Sequence, residues 1–94
     1  MIIIEVIKYL SILLSEEVNL SPSASGGLIR LAIKDEIGPF KPIKQLDFKD
    51  YKISCENALK KRLQKLGVKN IDQIIKRIVN ELIQNQSLIT MEKV

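Results

Sequence analysis

The sequence predicts an all-α fold, a small four-helix bundle with a proline-containing connector between the second and third helices. Three observations carry this. Apolar residues recur at spacings of three and four through most of the chain. Glycine and proline gather where those periodic stretches start and stop. No stretch alternates apolar and polar residues with the turn chemistry of a β-hairpin. At 94 residues there is room for one domain. Its core must be aliphatic, because the chain holds 16 Ile, 12 Leu and 5 Val against four aromatic residues.

The first helix is expected over residues 2–17. At 100° per residue Ile2, Ile3, Val6, Ile7, Tyr9, Leu10, Leu13 and Leu14 share one side. Glu5, Lys8, Ser11 and Ser15 take the other. Ile4 and Ile12 fall inside that polar sector, so the apolar face is wider than one packing contact needs, and a second subunit would cover the excess. Glu5 and Lys8 interrupt the apolar run, which ends at Leu14. A membrane span needs about 20 apolar residues, and no signal-cleavage pattern follows. The expectation is a cytoplasmic protein with no membrane partner.

The second helix is expected over residues 22–37. Ser21 reads as the N-cap, Pro22 as the first helical residue, and Gly38 with Pro39 as the stop. Leu28, Ile29, Leu31, Ala32, Ile33 and Ile37 spread around most of the wheel, which suggests a central helix with Leu31 and Ile33 buried. Ser23, Ser25, Gly26 and Gly27 could cradle an anion at the helix N-terminus. Capping and close backbone packing explain the same residues, and no phosphate-loop or dinucleotide spacing is present. The capping reading is preferred.

The connector covers 38–47. Phe40, Ile43 and Leu46 recur every third residue, as in an extended strap with its apolar side on the bundle. The alternative is a docking strip for a partner.

The third helix is expected over 48–66, opened by Asp47 with Asp50 in its first turn and closed by Gly67. Its inner face reads Phe48, Tyr51, Cys55, Ala58, Leu59, Leu63 and Leu66. The fourth is expected over 71–86, with Asn70 as N-cap and Gln73 three residues on. Ile71, Ile75, Ile78 and Leu82 form a seam spaced four, three and four. Arg77 and Glu81 are placed for an outward i,i+4 pair. Leu63, Ile75, Ile78 and Leu82 join Leu31 and Ile33 as expected core.

There is no histidine and one cysteine. Histidine-dependent catalysis, zinc fingers and an intrachain disulfide are therefore excluded. Cys55 lies in the apolar stripe and reads as a small core residue. The acid pairs Glu16–Glu17 and Asp35–Glu36 point about 100° apart within each pair and form no ready metal clamp. Asp35 and Glu36 are expected to find Lys or Arg partners elsewhere. The expectation is a protein that is not an enzyme, with no catalytic residue, cofactor or metal ligand.

Charge is the one asymmetry. Residues 1–40 hold three bases and five acids, and residues 41–94 hold twelve and six. Lys60, Lys61, Lys65 and Lys69 would be the contacts if this basic half met nucleic acid. A helix-turn-helix around Gly67 would have to bury Gln73 and Lys76, which are polar, and the bases do not share a face. The preferred reading is a helical protein that works by protein–protein interaction, self-associating as a homodimer. The alternative is a basic nucleic-acid-associated or regulatory protein.

Overall fold

A computed structural model of the chain describes residues 6–87, and among them four helices follow one another with no strand. They are α1 (Val6–Glu17), α2 (Pro22–Ile37), α3 over 48–65 and α4 (Ile71–Gln84). The all-α expectation holds. The expected residues 2–5 of the first helix, with Ile2, Ile3 and Ile4, lie outside the described residues.

Helix α1 buries Val6, Ile7, Leu10, Leu13 and Leu14, the stripe that its periodicity marks. It packs against α2 and α4. It runs antiparallel to α4, and polar ties fix that register near both ends. Near its start Tyr9 donates to Glu81 Oε2 at 2.5 Å. At its end Arg77 reaches Glu16 and Glu17. The expected Arg77–Glu81 pair is therefore absent. The antiparallel packing brings the two acids of α1 to Arg77 and leaves Glu81 to Tyr9.

Helix α2 starts and stops as its sequence predicts. Ser21 caps it by accepting the Ala24 N–H at 3.1 Å, and Gly38 ends it with φ near 102°. Its buried face is Ser25, Gly26, Ile29, Ala32 and Ile33. Leu31 is 43% exposed, against expectation. Its neighbours cover one face of α2, and Leu31 points away from it. α1 and α2 approach closely at Gly26, where an added Cβ would stand 2.9 Å from Ser11 Oγ. Ser11 in turn donates to the Ile7 carbonyl at 2.5 Å.

Helix α3 has three consecutive pieces. α-helical turns at Phe48–Ile53 and Lys60–Lys65 flank a π-helical turn at Ser54–Leu59. The π turn loosens the ladder from i+4 to i+5 bonding. Ser54 sits at the transition, its hydroxyl donating to the Asp50 carbonyl at 2.7 Å. Tyr51, Ser54, Cys55, Ala58, Leu59 and Leu63 are buried along the whole length. Leu66, expected on that face, is 56% exposed because the helix has already turned into its stop. There Val68 N–H bonds the Leu63 carbonyl and Gly67 N–H the Gln64 carbonyl, with Gly67 at φ 72°. This is the Schellman pattern, and it needs the left-handed residue that glycine supplies.

Helix α4 buries Ile74, Ile75, Ile78, Val79 and Leu82. Asn70 does not cap it with its side chain. Its backbone sits at φ 59°, ψ 36°, a left-handed conformation that asparagine tolerates, and it closes the turn from Gly67 instead.

The start of α3 is the best-made helix end. Asp47 Oδ1 accepts the Asp50 N–H at 2.9 Å, and Asp50 Oδ2 accepts the Asp47 N–H at 3.1 Å. Leu46 before the cap and Tyr51 at the fourth helical position are both buried, the arrangement of a hydrophobic staple. Asp47→Ala should cost about 1 kcal/mol in urea unfolding, and Asp47→Asn much less. Burial pushes the Asp50 carboxyl up, but its bonds to Lys41 and to Asp47 outweigh this and hold it below the usual range. A depressed carboxyl holds its proton more weakly in the folded state. Its contribution is therefore present above the unfolded value near 4 and drains away as pH falls further. The acid limb of a stability–pH curve should flatten in Asp50→Asn.

Candidate functional site

The four lysines proposed for nucleic acid do not form one surface. Lys61 and Lys65 line a groove with Asp35, Glu36, Ala58, Arg62 and Gln64. Lys60 lies on another side of α3 and reaches Asp72 of α4 at 3.0 Å. Lys69 sits in the turn before α4. Asp35 meets Arg62 at 2.7 Å, and that bond holds its carboxyl below the usual range, so one of the two expected partners is found. The groove is thus lined by three bases and two acids, and the Arg62–Asp35 pair within it is mutually neutralised.

The proposed anion residues are also split. Ser23 and Gly26 face a groove with Ile7, Lys8, Ser11, Ile12, Pro22 and Arg30. Ser25 is fully buried, and its hydroxyl has no hydrogen-bond partner among the described residues. At Gly27 no atom of the described residues lies within 4 Å of where a side chain would start. Capping by Ser21 and close packing at Gly26 account for this segment.

Cys55 is buried in the π turn. Burial first, and then the charge of Glu56, pushes its thiol up to about 12. A thiol so placed is neither exposed nor ionised at neutral pH. Iodoacetamide at pH 7 should label the folded protein at least about a hundredfold more slowly than the unfolded chain, since it must wait for opening. Labelling at the unfolded rate would place Cys55 at the surface. Among the described residues no three His, Cys, Asp or Glu side chains are grouped to hold a metal ion.

The connector carries the feature that sequence reasoning placed wrongly. Of its three expected anchors only Leu46 is buried. Ile43 is 42% exposed and Phe40 is 94% exposed. The chain turns at 39–40 and forms a short 3-10 turn at Ile43–Gln45. A three-residue period therefore does not lie flat on the bundle. Phe40 is nevertheless held on both sides. Gly38 N–H bonds the Lys34 carbonyl at 3.0 Å. Lys41 Nζ meets Asp50 Oδ2 at 2.7 Å, which ties the next residue to the capping box of α3. Pro39 and Pro42 stiffen the segment between these ties.

A groove runs between α2 and the connector residues that flank Phe40, which does not itself line it. It is lined by Arg30, Ile33, Lys34, Gly38, Pro39, Lys41 and Ile43. Three bases and no acid border it. Lys41 is engaged by Asp50, whereas Arg30 and Lys34 are exposed and have no ion pair among the described residues. The hint in the sequence was an aromatic residue between two prolines. No helical periodicity could say which way it faced.

No protein-family model, curated protein or solved structure matches the chain. No helix among the described residues is long and apolar enough to cross a membrane.

Proposed function

We propose that the protein is a small binding module whose partner is another protein, engaged through the connector around Phe40. The observation that carries this is the exposure of Phe40 on a braced segment. A phenylalanine left in water forgoes roughly 1.5–3 kcal/mol of burial. A segment already stiffened by two prolines and a tied lysine loses little further freedom on binding, so that apolar surface converts efficiently into affinity. Aromatic anchors of this kind concentrate binding energy in protein interfaces.

A different protein suits this surface better than a second copy. Among the faces that suggested a homodimer, the seam of α4 and the inner stripes of α1 and α2 are packed within the chain, while Ile12 and Leu31 stay exposed as single residues on different helices. A twofold interface through the connector would set Arg30 and Lys34 of one copy near the same residues of the other. Lys60 is turned to Asp72 and away from the groove that holds Lys61 and Lys65, so the basic residues do not share one surface, which supports a protein partner over nucleic acid.

The test is photo-crosslinking in the cells that make the protein. Benzoylphenylalanine replaces Phe40 in one variant and Ile83, an exposed apolar residue of α4, in the other. A discrete protein adduct at position 40, missing at 83, supports the reading. Adducts only to nucleic acid, the same adducts at both positions, or none at 40 would reject it.

A further inference from the structure

Resting on the reading above, we infer that the partner segment is acidic and amphipathic. Its apolar side chains take Phe40 and enter the groove between α2 and the connector, and its carboxylates face Arg30 and Lys34. Charge complementarity carries the inference. The groove is bordered by three bases and no acid, although residues 1–40, which supply α2, are net acidic. The fold has gathered two of the three bases of that region on one rim, and neither has an ion pair among the described residues. The third base of the rim, Lys41, is matched to Asp50, as Lys60, Arg62 and Arg77 are matched to carboxylates in other parts of the chain.

The groove's floor narrows the class further. Ile33, Pro39 and Ile43 make it apolar, so the occupant must bring apolar side chains as well as negative charge. A nucleic-acid backbone would satisfy Arg30 and Lys34 and leave Phe40, Ile33 and Ile43 unmatched. A bilayer surface could take Phe40 but cannot enter a slot between a helix and a loop. A peptide segment with Glu or Asp interleaved among Leu or Phe satisfies both sets, with the ion pairs at the rim and the apolar contacts inside.

Two synthetic 16-residue amphipathic peptides with the same leucine pattern provide the probe, one with Glu and one with Lys at every polar position. Backbone amide spectra of the full chain are recorded on titration with each, in low and moderate salt. The Glu peptide should shift Arg30, Ile33, Lys34, Gly38 and Ile43, more weakly as salt rises, and the Lys peptide should not. Phe40→Ser should weaken binding about thirtyfold, as loss of an aromatic anchor does. Arg30→Glu with Lys34→Glu should weaken it about tenfold, two rim pairs lost and reversed. All three residues are exposed, so both variants should keep the wild-type helical circular dichroism. Absence of Glu-peptide binding, equal binding of both peptides, or shifts centred on Lys61 and Lys65 would overturn the inference. So would vesicles of anionic phospholipid binding the protein where the Glu peptide does not. If crosslinking at position 40 finds a protein whose capture survives the double charge reversal, the acidic partner is wrong and the Phe40 interface stands. If Phe40 yields no adduct, both fall.

Discussion

Ile78→Ala should remove about 2–5 kcal/mol of stability. Ile78 is 0% exposed, on the face of α4 that meets the rest of the bundle. Truncation removes three carbons from a closed site, and helix backbones on either side limit how far it can collapse. A domain of this size commonly has 5–15 kcal/mol in total, so the loss is a large share. At roughly 4–8 °C per kcal/mol the thermal midpoint should fall by about 10 °C or more. Ile83→Ala is the control on the same helix. Ile83 is 47% exposed, and its truncation should cost under about 0.5 kcal/mol. Equal losses at the two positions would mean that α4 does not pack by the face described.

The adjacent glycines of α2 should respond differently to a side chain. Among the described residues nothing lies within 4 Å of where a Cβ at Gly27 would stand. Gly27→Ala should therefore stabilise by about 0.5–1 kcal/mol, the backbone entropy that glycine costs in a helix. At Gly26 the same Cβ meets Ser11 Oγ at 2.9 Å, and that oxygen is held by the Ile7 carbonyl. For alanine the propensity gain and the lost serine bond roughly cancel, and Ser11→Ala alongside should recover the gain. Gly26→Leu has no such escape. It must push α1 from α2 and should cost about 3 kcal/mol. Urea midpoints of the four variants test the set. A neutral Gly26→Leu would show that the two helices are not in close contact there.

How much of this was legible in the sequence depends on what decided each position. Helix ends were legible where a single residue fixes them. Ser21, Gly38, Asp47 and Gly67 act through their own hydrogen bonds or their own φ, and each is found in its expected role. Asn70 was misread because asparagine serves both as a cap and as a left-handed residue, and the turn from Gly67 needed the second. Strongly amphipathic stretches gave their inner faces, as in α1 and α4. In α2, apolar almost all round, the wheel could not choose, and packing left Leu31 outside. Arg77 shows the same limit for charge. Its local partner was four residues away, and the acids of α1 were nearer once the helices packed. The candidate surface was the least legible, since only the fold of the connector brings Pro39, Lys41 and Ile43, the residues around Phe40, to the groove that Arg30 and Lys34 line. The π turn left no trace either, because its apolar residues keep spacings that an ordinary helix also uses.

That π turn bears on how the chain length can change over time. Removing one residue from an α-helix rotates everything beyond it by about 100°, which would turn Leu63 off the core. A turn bonded i to i+5 already holds one residue more than its neighbours need. Losing Glu56 or Asn57, both exposed, would let the ladder close as ordinary α-helix with Tyr51 and Leu63 still facing inward. A gap in mid-helix is usually taken as a sign of faulty alignment. For descendants of this chain, a one-residue gap between 54 and 59 would instead mark the place where the lineage shed a residue and kept its core.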